Sequence, residues 1–227
     1  MAQQARAIRT RQAILEAAAA VFADRGYERA TVGEILVRAG VTKGALYFHF
    51  ASKEDLALGV LAAQMLDEPL PPHPLKIQDL VDQGLILAYR IQHEPVVRAS
   101  VALALDTGAS GIDRAAPFET WIAQVSEVLA AARDQGELLP HVDIEDTAEL
   151  FSGAYAGIQT MSSILRERRD LIHRVVVFFE HMLPSICTPV LLTRIDISEG
   201  RALELAAAYA AQQRRRPDDD DLAESDA

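Results

Sequence analysis

Residues 31–50, TVGEILVRAGVTKGALYFHF, constrain the fold of this chain more than any other stretch. Thr31-Val-Gly-Glu34 is a capping-box pattern, in which the Thr oxygen accepts from a backbone N–H three residues on. Val32, Ile35, Leu36 and Ala39 follow at i, i+3, i+4 and i+7, one apolar stripe of a helix. Gly40 stops that helix, because a left-handed helix end favours glycine. Val41 reads as a buried turn residue, and Thr42 caps a second, short helix from Lys43 to about Phe48. Two short helices joined by a tight glycine turn make a helix-turn-helix.

In such motifs the second helix enters the major groove with its N-terminal residues toward the bases. Thr42, Lys43 and Gly44 occupy that end. Gly44 and Ala45 lack bulk, so the backbone can approach a duplex closely. Tyr47 and His49 add hydrogen-bonding groups suited to phosphates or base edges, and the helix N-terminus favours a phosphate. Val32, Leu36, Val41, Leu46, Phe48 and Phe50 read as core. The plainer readings stay open for three residues: Tyr47 as packing, His49 as a cap or core histidine, and Lys53 as an ornament of a helix start.

Net charge first speaks against a nucleic-acid partner, since the 227 residues sum to −11. The sum hides an asymmetry. Residues 1–53 hold eight basic and four acidic side chains, a local +4, and the remaining 14 basic and 29 acidic side chains make −15. A basic head on an acidic body points to two functions on one chain.

Residues 7–23 read as a helix, with Ile8, Ile14, Leu15, Ala18, Val21 and Phe22 at helical spacing and Gly26 past the end. Ser52-Lys-Glu-Asp55 opens a further helix to about Leu66. Four prolines in residues 67–76, DEPLPPHPLK, mark a linker. Helices follow over about 77–93, 95–107, 116–135, 144–167, 170–184 and 188–213, with a break at Gly108 and Gly111 and a cap at Asp143. The charged tail lacks apolar periodicity and reads as disordered. The expected class is all-α: an N-terminal three-helix bundle with its connecting helix (1–66), the linker (67–76), a larger helical ligand-binding and dimerisation domain (77–213) and the tail (214–227).

Other classes fare poorly. No apolar run reaches about 18 residues, so no membrane span is expected, and the polar, basic N-terminus is not a signal peptide. The single cysteine, Cys187, excludes an intrachain disulfide and a Cys-based zinc site. There is no nucleophile-elbow Gly-x-Ser-x-Gly, no His-Glu-x-x-His and no phosphate-cradling loop. A cytoplasmic protein with no enzymatic activity, no cofactor and no metal is expected.

Thr42-Lys-Gly-Ala-Leu-Tyr-Phe-His-Phe50 with Ser52-Lys-Glu-Asp-Leu56 resembles the DNA-binding signature of the tetracycline-repressor (TetR) family. Arg11-Gln-Ala-Ile14, Phe22-Ala-Asp-Arg-Gly-Tyr27 and Thr31-Val-Gly-Glu-Ile35 agree with it. The resemblance covers about the first 60 residues. It implies a homodimer that binds double-stranded operator DNA and a small molecule. By carry-over, Thr42, Lys43, Tyr47 and His49 are DNA-contacting positions, Arg6, Arg9 and Arg11 phosphate contacts, and Thr31, Gly44 and Lys53 belong to the same surface.

The head and the segment around Trp121, with Gly-Glu-Leu-Leu-Pro-His141 and Gly-Ile-Gln159 downstream, resemble the γ-butyrolactone receptor subgroup of actinobacteria. That implies a tryptophan, here Trp121, against the ligand's ring and chain, with Gln64 and Thr160 as polar partners. The ligand would be a γ-butyrolactone or butenolide, and the targets would lie in secondary metabolism. The alternative is a pseudo-receptor that senses an antibiotic or another hydrophobic metabolite. A pI near 5.0 favours the receptor, because receptor relatives are acidic and pseudo-receptors basic. Read from residues alone, Trp121 is either a ligand wall or ordinary core. Gly153, Ala156, Gly157, Thr160 and Ile164 share one helix stripe: it either leaves room for a ligand, with Gly157 and Thr160 lining it, or packs against another helix, across a dimer.

Overall fold

The computed structural model describes residues 2–66, 69–106 and 112–214. Eleven helices form among them: α1 (Ala2–Arg25), α2 (Val32–Ala39), α3 (Lys43–His49), α4 (Lys53–Ala62), α5 (Lys76–His93), α6 (Pro95–Leu105), α7 (Ala115–Asp134), α8 (Ile144–Arg166), α9 (Leu171–Ile186), α10 (Pro189–Leu192) and α11 (Glu199–Arg214). The described residues contain no strand, only a bridge between Leu138 and Cys187, so the fold is all-α. The expected break at Gly108 and Gly111, residues 67–68 of the linker and residues 215–227 of the tail lie outside the described residues.

The chain separates into two compact units. The first joins, among the described residues, 2–66 with 94–106, 112–117 and 211–214. Ile14, Ala18 and Phe22 of α1, Ile35 of α2, Leu46 of α3 and Leu56 and Val60 of α4 form its core. The sequence reading placed 95–107 in the larger domain, whereas α6 packs on α1 and α4 and buries Val97, Val101 and Ala104 there. Helix α4 ends four residues before the expected Leu66. Its last N–H groups turn to carbonyls three residues back, Ala63 to Val60 at 3.0 Å and Met65 to Ala62 at 3.0 Å.

The second unit comprises, among the described residues, 69–93 and 118–210. Phe151 and Tyr155 of α8 and Phe178 and Phe179 of α9 build its aromatic centre, with ring centroids 5.3 to 6.3 Å apart. The Tyr155 hydroxyl donates to the Gly84 carbonyl of α5 at 2.7 Å, and burial pushes its ionisation upward. The buried Glu137 carboxylate accepts from the Lys76 and Ile77 N–H groups at 3.0 and 2.8 Å, which caps α5. The expected helix 188–213 is two helices. Asp196 breaks it: its backbone N–H donates to Gln78 Oε1 at 2.8 Å, its carbonyl accepts from Gln78 Nε2 at 2.9 Å, and its side chain accepts from Ser198 N–H. Arg201 then clamps Asp82 with two hydrogen bonds.

Candidate functional site

The first unit holds α2 and α3 by caps written into four-residue windows. Thr31 Oγ1 accepts from Glu34 N–H at 3.2 Å and donates to Glu34 Oε2 at 2.9 Å, and the Thr31 N–H donates to the same carboxylate at 3.0 Å. Those bonds hold the Glu34 carboxyl below the usual range. Gly40 ends α2 at φ 65°, and Thr42 Oγ1 accepts from Ala45 N–H at 3.2 Å to start α3. Arg38 pairs with Asp24 at 3.0 Å and so ties α2 to α1.

Leu46, fully buried, anchors α3 and sets its rotation. Thr42, Lys43, Gly44 and Tyr47 are exposed together. The Lys43 ammonium stands 5.8 Å over the Tyr47 ring. A Cβ on Gly44 would meet nothing within 4 Å, so the backbone itself lies open there. His49 is half-buried and meets the Phe48 ring edge-on at 5.0 Å.

Phe48 departs from expectation. It was read as core with Leu46 and Phe50, which are buried, yet it is 79% exposed. It sits two residues past Leu46, about 160° around the helix, so anchoring Leu46 inward turns Phe48 outward. Val32, Leu36 and Val41 are half-buried rather than fully buried.

The remaining nominated side chains differ in how they are held. Arg6, Arg9 and Arg11 are exposed on α1, and the Arg11 guanidinium stacks 5.1 Å over Phe50. Lys53 is half-buried: it lies 4.3 Å over the Tyr27 ring and donates to the Glu28 carbonyl at 3.3 Å. The Tyr27 phenol is pushed up by burial, then by Glu54 and Glu28. Thr31 spends its hydroxyl proton within the capping box.

Gln64 belongs to the first unit, buried just past α4, whereas Trp121, Gly157 and Thr160 belong to the second. Trp121 is half-buried on α7. The Thr160 hydroxyl donates to the Ala156 carbonyl at 2.7 Å, which leaves it only an acceptor. Gly157 and Gly153 are exposed, with open space where a Cβ would stand. Helix α8 buries the other side, through Ala148, Phe151, Tyr155, Gln159 and Ser162. Two polar atoms on α8 that sequence reasoning missed, Ser152 Oγ and Gln159 Oε1, are buried with no hydrogen-bond partner among the described residues. Their seven-residue separation, two helical turns, was the available signal. Burial raises the Cys187 thiol to about 12, with Glu137 adding to it, so that sulfur is no nucleophile.

The family model "Bacterial regulatory proteins, tetR family" matches residues 14–60. The A-factor receptor protein of Streptomyces griseus is 39% identical over 207 residues, which cover 91% of this chain and 74% of that protein. The crystal structure of TylP, a tetR regulator from Streptomyces fradiae, superposes with a TM-score of 0.86 at 42% identity, over 90% of this chain and 99% of that one. A crystal structure of a gamma-butyrolactone receptor (ArpA-like protein) gives a TM-score of 0.62 at 26% identity, over 89% and 98% of the two chains.

Proposed function

The chain belongs to the tetR family of bacterial regulatory proteins, and we propose that it is a homodimeric, cytoplasmic repressor that a γ-butyrolactone or butenolide releases from operator DNA in control of secondary metabolism. It is a regulator and not an enzyme. The observation that carries the DNA-binding reading is the exposed arc of α3, where Thr42, Lys43, Gly44 and Tyr47 surround an open backbone patch. Basic side chains supply the salt-dependent phosphate attraction. The acidic remainder of the chain repels phosphates and leaves affinity to the two heads.

Exposed apolar residues on α8 support dimerisation. Leu150, Met161, Ile164 and Leu165 are each more than half exposed, and the bare Gly153 and Gly157 lie among them. Such a stripe of large and small residues suits close approach of the same helix from a second copy. We therefore assign the small-residue stripe to the subunit interface rather than to the ligand. The effector then falls to Trp121, which offers a flat apolar wall and one N–H donor. Ser152 and Gln159, whose buried oxygens lack partners among the described residues, join it as polar groups of the same unit. The names of the A-factor receptor and of the gamma-butyrolactone receptor support a lactone ligand.

Release needs a ligand that prefers the dimer whose heads mismatch the operator spacing. By linkage the operator weakens ligand binding by the same factor, and a 100-fold effect corresponds to about 2.7 kcal/mol. No helix among the described residues is long and apolar enough to cross a membrane. Mobility shift of duplexes from upstream of regulator genes, titrated with a panel of butyrolactones and butenolides, tests both halves. Retardation that is lost with micromolar lactone supports the proposal. No retardation at low salt overturns DNA binding, and retardation indifferent to every lactone overturns the ligand and favours another hydrophobic metabolite.

A further inference from the structure

Helix α3 exposes one large side chain that the DNA-reading face, as expected from the sequence, did not include. Phe48 is 79% exposed although it is wholly hydrocarbon and sits among Lys43, Gly44 and Tyr47, at i, i+1, i+4 and i+5 of one helix. Its ring contact is the His49 edge at 5.0 Å. Single exposed apolar side chains are common on protein surfaces, and what singles this ring out is its place on the helix read as entering the major groove, where DNA would cover it. Helical side chains lean toward the preceding turn. One turn before Phe48 stands Gly44, with nothing within 4 Å of the position of a Cβ. The ring therefore borders a patch of bare backbone and can approach the floor of a groove.

Resting on the DNA-binding reading above, we infer that Phe48 is a sequence-determining residue that packs against a thymine C5-methyl group in each operator half-site. The ring has no donor or acceptor, so it takes no part in the hydrogen-bond code of the major groove. The one apolar feature displayed there is the thymine methyl. Lys43, on the same exposed arc, holds the duplex through charge, and Phe48 discriminates. Burial of one methyl is worth about fourfold in affinity, so a two-fold symmetric site loses about fifteenfold when both methyls are removed.

The test uses the full-length dimer and needs no known operator. Duplexes are selected from a random library by the wild-type protein. The winner is then synthesised with deoxyuridine in place of thymine, one symmetric pair at a time, which deletes only the methyl. The inference expects at least one pair at which deoxyuridine weakens the wild type about fifteenfold. Phe48→Ala should show no penalty at that pair, and Phe48→Leu, which keeps an apolar tip, an intermediate one. Circular dichroism verifies that both variants are folded. A penalty of equal size in wild type and Phe48→Ala overturns the inference, as does the lack of any methyl-sensitive thymine. Equal weakening of Phe48→Ala on selected and random duplexes also overturns it, since the ring then acts through the backbone. A wild type that enriches no duplex overturns the DNA-binding reading itself, a result distinct from the other three.

Discussion

Replacing Gly84 by alanine places a methyl where the second unit has no room. The new Cβ would stand 2.8 Å from Phe179 Cζ, 3.0 Å from its Cε2 and 3.7 Å from Tyr155 Cε2. Phe179 has no exposed surface and is wedged against Phe151 and Phe178 at centroid distances of 5.7 and 5.6 Å, so its ring cannot swing aside. Moving α5 away instead stretches the Tyr155 bond to the Gly84 carbonyl, a buried bond worth about 1 kcal/mol. Overpacking costs about 1–3 kcal/mol, and alanine returns about 1 kcal/mol of helix propensity. The net loss is about 1–3 kcal/mol, or roughly 3 to 10 °C in Tm at this chain length. Thermal and urea melts at one fixed protomer concentration measure it, since dimer stability depends on concentration. Gly59→Ala is the internal comparison: its closest neighbour, Leu15 Cδ2 at 2.9 Å, is the tip of a flexible side chain and yields at smaller cost. Phe179→Leu combined with Gly84→Ala should recover part of the loss. A Gly84→Ala protein as stable as the wild type refutes the packing argument outright.

Substitutions at four other residues have expected outcomes of their own. Lys43→Ala should lower the slope of log affinity against log salt by about 1.8, one phosphate contact per head on two heads, and Lys43→Arg should restore it; an unchanged slope places Lys43 off the phosphates. The Asp170 carboxyl is held below its usual range chiefly by Ser162 Oγ at 2.6 Å, then by Arg174 at 2.9 Å. A depressed folded value means that the unfolded chain binds more protons in acid, so this stabilisation is present above about pH 4 and fades as pH falls further. Ser162→Ala should therefore lower the urea midpoint at pH 7 and approach the wild type near pH 3; a gap that widens in acid contradicts the sign. Thr160→Val should leave the lactone concentration for half-release within about threefold, because its hydroxyl proton is already given to Ala156. Trp121→Ala should raise it by about tenfold or more; the reverse order puts the ligand elsewhere.

What was legible in the sequence was what a few adjacent residues decide. The Thr31–Glu34 box, the Gly40 stop and the caps at Thr42 and Asp143 each involve groups three or four residues apart. Their hydrogen bonds form whatever the rest of the chain does. The family signature lies in the same stretch, so α3 was found with its boundaries nearly right. Features that depend on distant partners were not. The break before α11 is made by Gln78, 118 residues from Asp196. Helix α6 is apolar on several sides, and only tertiary packing assigns it to α1 and α4. The α8 stripe fitted a ligand or a neighbouring helix equally well until burial singled out the Phe151 and Tyr155 side as interior. Phe48 is the instructive miss, since the information was local after all. Once Leu46 is taken as the anchor, helical geometry turns the residue two positions on to the far side. Reading Phe48 as core with Leu46 and Phe50 overrode that phase, and it hid an exposed ring on the helix proposed to contact DNA. On an interaction helix, therefore, angular position relative to the anchor should outrank hydrophobicity when core is told from contact surface.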